Sequence, residues 1–245
     1  MENATSSKFH PLPCMLTCAS LFSGFYSMVA SINGHFFAAA VAILIAAIFD
    51  GLDGRVARMT GTTSRFGKEL DSLCDMVSFG VAPALLAYLW ALTPYGRYGW
   101  LAAFLYVATT ALRLARFNTQ APTGNTDFVG LPCPAAAMMV AATVMFGRFL
   151  GATDTVKHLS ILLLVYILSY LMVSNHRYLS FKQFDIKKER KFQTVVFILL
   201  FLILVASEPP VTLFLVAFVY ILSGPVLALR SLIARRKFRE KKKVS

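Results

Sequence analysis

Long apolar runs broken by short polar stretches make up most of this chain. Eight runs read as helices: about Met15–Ile32, Phe36–Arg58, Glu69–Leu92, Tyr98–Phe117, Leu131–Leu150, Val156–Asn175, Phe192–Ala206 and Val211–Leu229. A bilayer crossing needs about 20 predominantly apolar residues, and the seventh run falls short of that. Ser207-Glu208-Pro209-Pro210 reads as the turn between the last two, because proline removes a backbone donor and pushes its predecessor out of helix. The pattern predicts an all-α fold, a polytopic membrane helical bundle of about eight transmembrane helices. There is no internal repeat and no low-complexity segment. The expected division is a membrane domain over 1–230, with a six-helix core over about 10–178 and two extra helices over about 192–229, then a basic cytoplasmic tail over 231–245.

Composition agrees: 57% of the 245 residues are hydrophobic and only 15% are charged, which excludes an ordinary soluble domain. The net charge of +12 is unevenly placed. With the N-terminus in the cytoplasm and eight crossings, 21 of the 24 lysines and arginines fall on the cytoplasmic side, leaving Arg97, Arg148 and Lys157 opposite. This is the positive-inside bias, and an odd number of spans disturbs it. The reading puts the protein in the inner, cytoplasmic membrane with both termini in the cytoplasm. The tail's cations serve as a topology signal or as an attractor of anionic lipid, at about 1 kcal/mol each. The start, MENATSSKFHPLP, lacks a short apolar core followed by a small-residue cleavage site, so no cleaved signal peptide is expected. Cys14, Cys18, Cys74 and Cys133 lie in or beside apolar runs and read as small buried hydrophobes, not as a zinc site or a disulfide framework.

Four carboxylates interrupt the apolar pattern within Phe49–Asp75, the stretch FDGLDGRVARMTGTTSRFGKELDSLCD. Each costs roughly 2.5–3.5 kcal/mol near a bilayer centre on insertion scales. Asp50 and Asp53 are three apart, and Asp71 and Asp75 four apart, so each pair shares a helix face. A polar turn over Met59–Lys68 brings the two acidic faces together. Clustered carboxylates repel unless a cation joins them, and hard oxygen ligands select Mg²⁺, Mn²⁺ or Ca²⁺. A cation transporter is the competing reading of acidic groups in a helical bundle. Against it, all four aspartates sit near one membrane face, and no spans are visibly interrupted at the midplane.

Read in full the spacing is D-x-x-D-G-x-x-A-R-x8-G-x3-D-x3-D, with Gly54, Ala57, Arg58 and Gly67 as the other fixed members. This resembles the signature of the CDP-alcohol phosphotransferase family at every position. The resemblance implies that a hydroxyl attacks a CDP-linked lipid, CMP leaves and a phosphodiester forms. It implies Asp50, Asp53, Asp71 and Asp75 as ligands of a two-metal site holding Mg²⁺ or Mn²⁺, with Asp75 also taking the hydroxyl proton. It places Gly54 against the cytidine, and Arg58 and Ser64 on the diphosphate. Gly51 reads as close helix packing and Arg55 as a solvated charge. The segment His10–Thr17 resembles the family's entry segment, except that Cys14 stands where an asparagine usually follows the proline, so Cys14 is left out of the site.

The motif leaves the acceptor alcohol open. Ala111–Asn118, Phe128–Ala137 and Leu171–Tyr178 together look like the branch of the family in which serine is the acceptor. The last two spans fit that branch too, since shorter relatives using glycerol phosphate or inositol phosphate commonly stop near six. Serine brings a carboxylate and an ammonium. Arg113 and Arg116 share a helix face and can hold the carboxylate, and Asn118 can add a hydrogen bond. The same arginines can instead anchor the helix at the headgroups, and a phosphate-bearing acceptor also welcomes them. His158 and His176 read as interfacial side chains. The expected partners are CDP-diacylglycerol, L-serine and the lipid bilayer. No nucleic acid is expected, and a homodimer is left open.

Overall fold

The computed structural model describes residues 11–61, 64–119, 128–151, 158–174, 177–178, 199 and 207–244. The chain opens with α1 (Pro11–Ile32), α2 (Phe36–Met59) and α3 (Arg65–Asp75). A π-helical turn (Met76–Val81), α4 (Ala82–Ala87), a second π-helical turn (Tyr88–Leu92) and a 3-10 turn (Thr93–Tyr95) continue directly from α3. There follow α5 (Arg97–Thr119), β1 (Phe128–Val129), α6 (Cys133–Phe149), α7 (Leu159–Val173), β2 (Arg177–Tyr178) and α8 (Pro209–Val244).

The helical membrane bundle is as expected. Four stretches are long and apolar enough to cross a membrane: Pro13–Ile32, Phe36–Met59, Phe66–Tyr95 and Pro209–Val226. That is four among the described residues, against the eight expected. α6 and α7 are apolar but only 17 and 15 residues long, and α5 is diluted by Arg97, Arg113 and Arg116. The expected seventh run, Phe192–Ala206, lies outside the described residues but for Leu199. Pro209 and Pro210 begin α8, where a missing N–H costs nothing. That helix continues without a break through the basic stretch to Val244. Among the described residues, the one departure from all-α is a two-residue antiparallel pairing, Phe128 with Tyr178 and Val129 with Arg177.

A three-residue corner joins α1 to α2. The Asn33, Gly34 and His35 N–H groups donate back to the Val29, Ser31 and Ala30 carbonyls. Gly34 supplies the left-handed φ of 76° that such a helix end requires. α1 and α2 then run antiparallel. Ser20 on α1 donates to the Ala46 carbonyl at 3.0 Å, and Ser78 in the first π turn donates to the Ser20 carbonyl at 3.1 Å.

The third span is a wound sequence of different pitches because of its prolines. A proline ring clashes with the carbonyl four residues back, here Phe79 for Pro83 and Trp90 for Pro94. Both of those residues lie in the π-helical turns, whose wider winding re-routes the local hydrogen bonds. The first widening follows Asp75 directly.

Small residues set how closely this span packs. A Cβ on Gly24 would meet Ser78 Cα at 2.7 Å, whereas one on Gly51 would meet nothing within 4 Å. Gly51 is also exposed, so the expected close packing there is not what the structure has. Overpacking a tight contact costs about 1–3 kcal/mol, and an exposed helical glycine gains up to about 1 kcal/mol on becoming alanine. Gly24→Ala is therefore expected to lower the melting temperature in detergent, while Gly51→Ala leaves it unchanged or slightly raised. Equal shifts in the two variants would refute this packing account.

Candidate functional site

The acidic motif occupies the adjoining ends of α2 and α3. Asp50 and Asp53 lie one turn apart on α2, roughly 13 and 9 Å short of its end at Met59. α3 starts at a defined point because Ser64 caps it: its Oγ accepts the Gly67 N–H at 3.0 Å. Two turns on, that start places Asp71 opposite the α2 pair. Asp50, Asp53 and Asp71 each present a carboxylate oxygen, and the three oxygens lie within 4.8 Å of one another.

Two observations bear on what this trio holds. Asp53 is only 6% exposed, and its Oδ2 accepts a 2.6 Å hydrogen bond from the Thr17 hydroxyl of α1. Asp71 Oδ1 is buried and has no hydrogen-bond partner among the described residues. A buried acceptor without a donor is costly, and three converging carboxylates repel one another. An oxygen-only donor set of this kind fits a hard divalent cation. Asp75, the last residue of α3, stands beside the trio, close enough to Asp50 for a side-chain hydrogen bond.

A cavity of about 260 Å³ opens from Asp53 and Asp71. Gly54, Arg58 and Ser64 line it, so the three residues expected at the CDP end meet in one place. Among the described residues, a Cβ on Gly54 would come no nearer than 3.9 Å to any atom, its neighbours being the Arg58 guanidinium nitrogens, so the bare backbone faces open space. The cavity is lined as well by Pro13, Cys14, Thr17 and Lys68. Cys14 was left out of the site on sequence grounds, yet it is among the residues that line the cavity. Thr17 and Lys68 were missed. For Lys68 the signal was present, since it lies three and seven residues before Asp71 and Asp75 on the same helical face. For Thr17 only tertiary contact reveals the role.

The cysteines divide. Cys74 and Cys133 are buried as expected, but Cys18 is exposed and Cys14 half-buried. Their burial follows the helix face each occupies, which apolar flanks do not report.

The residues expected to hold the acceptor are not in this cavity. They line the last turns of α5 beside it. Asn118 Nδ2 donates to Ser72 Oγ at 2.9 Å, next to Asp71 in sequence. Arg113 donates to Cys133 Sγ at 3.3 Å, at the first residue of α6. Among the described residues, Arg113 Nε and Asn118 Oδ1 are both buried without partners, one a donor and the other an acceptor. Arg116 is half-buried one turn beyond Arg113. Among the histidines, His158 is exposed just before α7, and His176 lies outside the described residues.

Comparison with known proteins identifies the relatives of this chain. Residues 10–165 match the model of the CDP-alcohol phosphatidyltransferase family. A Helicobacter pylori protein named CDP-diacylglycerol–serine O-phosphatidyltransferase is 39% identical over 86% of this chain and 88% of its own length. An archaetidylserine synthase of Methanothermobacter thermautotrophicus is 37% identical over 73% of each. A Bacillus subtilis protein with the same name as the Helicobacter one is 34% identical, over 70% of this chain but 92% of its own length. That relative is shorter than this chain and carries the same serine-transferase name. With more than half its length matched and the signature intact, the chain belongs to the CDP-alcohol phosphatidyltransferase family.

Proposed function

We propose that this protein transfers the phosphatidyl group of CDP-diacylglycerol to the hydroxyl of L-serine, giving phosphatidylserine and CMP. The observation that carries the reading is the convergence of Asp50, Asp53 and Asp71 beside a cavity lined by Gly54, Arg58 and Ser64. Serine as acceptor is supported by the names of the relatives. It is also supported by the two unpartnered groups near the α5 terminus. Arg113 Nε offers an N–H to a carboxylate, and Asn118 Oδ1 offers a lone pair to an ammonium. Arg116 adds positive charge on the same helix.

The residues divide the work as follows. Arg58 and Ser64 hold the diphosphate, and Gly54 lets the cytidine approach the α2 backbone. Thr17 fixes the orientation of Asp53. Asp50, Asp53 and Asp71 hold Mg²⁺ or Mn²⁺, and Asp75 beside Asp50 leaves donor capacity for a second ion. Such ions, when bound, neutralise the diphosphate and stabilise the departing CMP. Serine's hydroxyl oxygen forms the new bond to the lipid-bearing phosphorus while the bond to CMP breaks. Asp75 accepts the hydroxyl proton.

The site faces the cytoplasm of the inner membrane and the chain crosses eight times. The placement of 21 of 24 basic residues supports this orientation. Reporter fusions after Lys68, Lys188 and Ser245 are expected to read cytoplasmic, and one near Tyr95 external. An external reading at Ser245 with a cytoplasmic one at Lys188 would mean that 192–229 crosses once.

The direct test of activity is CMP release from CDP-diacylglycerol by purified protein on adding serine, with glycerol phosphate and inositol phosphate as rival acceptors. Asp50→Asn and Asp71→Asn are expected to abolish release without unfolding the protein, and a chelator to do so reversibly. Undiminished release in chelator rules out the metal mechanism, and release with a rival acceptor alone rules out serine.

Asp75→Asn separates base from ligand. General bases contribute typically about 10²–10⁴-fold to rate. The variant is expected to lose at least that order of turnover while binding CDP-diacylglycerol with near-normal affinity in Mg²⁺, whereas Asp50→Asn loses both. If Asp75→Asn loses donor binding as completely as Asp50→Asn, Asp75 is chiefly a metal ligand.

A further inference from the structure

The cavity wall holds a cation that the family signature does not specify. Lys68 lies between Gly67 and Asp71 on α3 and lines the same cavity as Arg58 and Ser64. Its position is locally unfavourable. The first turn of α3 is the positive end of the helix dipole, where anions are stabilised and cations are not. That turn contains Arg65 and Lys68 and no acidic residue. Lys68 Nζ instead lies 5.7 Å from the centre of the Phe117 ring on α5. An ammonium over an aromatic face is held by the ring's quadrupole. A lysine serving only as a topology signal needs neither a cavity nor a ring.

The geometry points to Lys68 as a second cationic ligand for the donor's diphosphate, with Phe117 as the residue that positions it. This rests on the donor assigned under Proposed function. Arg58 approaches the cavity from the end of α2 and Lys68 from the start of α3, so a dianion between them is held from both helices. A planar guanidinium binds in fixed directions, while a lysine ammonium acts as a point charge that adapts to the phosphate beside it. Phe117 stands between Arg116 and Asn118, so the contact ties the donor cavity to the helix end expected to hold serine.

The test is equilibrium binding of CDP-diacylglycerol to the purified full chain in Mg²⁺, beside titrations with CDP and CMP. Lys68→Gln is expected to weaken CDP-diacylglycerol and CDP by about tenfold, a typical loss for one charge-assisted phosphate contact, and CMP by much less. Lys68→Arg should retain affinity within a few-fold, because charge is what matters. Phe117→Leu should weaken the donor by a smaller factor, and Phe117→Trp should not. Donor binding should be unchanged in the control Glu69→Gln. Lys68 is exposed, and a normal melting temperature confirms that the variant folds.

Donor affinity within twofold of the parent in Lys68→Gln overturns the inference. So does an equal loss for CDP and CMP, or a Lys68→Arg variant as weak as Lys68→Gln. A parent chain that binds no CDP-diacylglycerol instead overturns the donor assignment itself, so the two failures are distinguishable.

Discussion

Carboxylates held in an apolar bundle must be brought together and compensated, and the first three helices of this protein are built around that requirement. Burial of Asp53 is tolerated because Thr17 donates to it at 2.6 Å. That contact fixes the rotation of α1 against α2. The same pair is tied again one turn deeper by Ser20 and Ala46, and the first π turn is tied to α1 by Ser78 and Ser20. A glycine at position 24 is what lets Ser78 come that close. The polar contacts and the small residues thus lock α1, α2 and the third span in the register that makes Asp50, Asp53 and Asp71 converge. What remains uncompensated is one buried oxygen of Asp71 and the mutual repulsion of the three. A cation resolves both.

Much of this was legible from spacing. Apolar runs marked α1, α2, the third span and α5 to within a few residues, because a long apolar stretch has few other ways to satisfy its backbone in lipid. The i, i+3 and i, i+4 offsets of the aspartates foretold shared faces, and the eight-position signature foretold their neighbours. Other features were invisible for identifiable reasons. Nothing local in Thr17 says that its hydroxyl reaches a residue 36 positions away. The π turns needed Pro83 and Pro94 to be read as strain to be absorbed inside a helix, not as helix ends. Apolar flanks misreported Cys18, because they say that a residue lies in a helix but not which face it is on. Gly51 and Gly24 make the same point: both are helical glycines, but only Gly24 faces a neighbour.

The π-helical turn after Asp75 gives the site a second level of control. In a uniform α-helix, Asp71 and Asp75 would continue on one line with the residues beyond them. Widening the helix at Met76–Val81 changes the rotation of everything that follows relative to the acidic face. Gly80, in that turn, comes close to Thr110 on α5. The winding that absorbs Pro83 therefore also sets how α5 approaches the acidic helix.

That approach is what could make donor and acceptor meet. The end of α5 is held against α3 by Asn118 to Ser72 at 2.9 Å and by the Phe117 ring beneath Lys68. Ser72 and Lys68 flank Asp71 on α3, so the end of α5 is indexed to the aspartate whose oxygen is unpartnered. Arg113, one turn or more back along α5, is held from the other side by Cys133 of α6. In the proposed reaction the serine hydroxyl must arrive at phosphorus within reach of Asp75, and a misplacement of about 1 Å can cost 10²-fold in rate. Contacts on two sides of α5 supply that positional constraint.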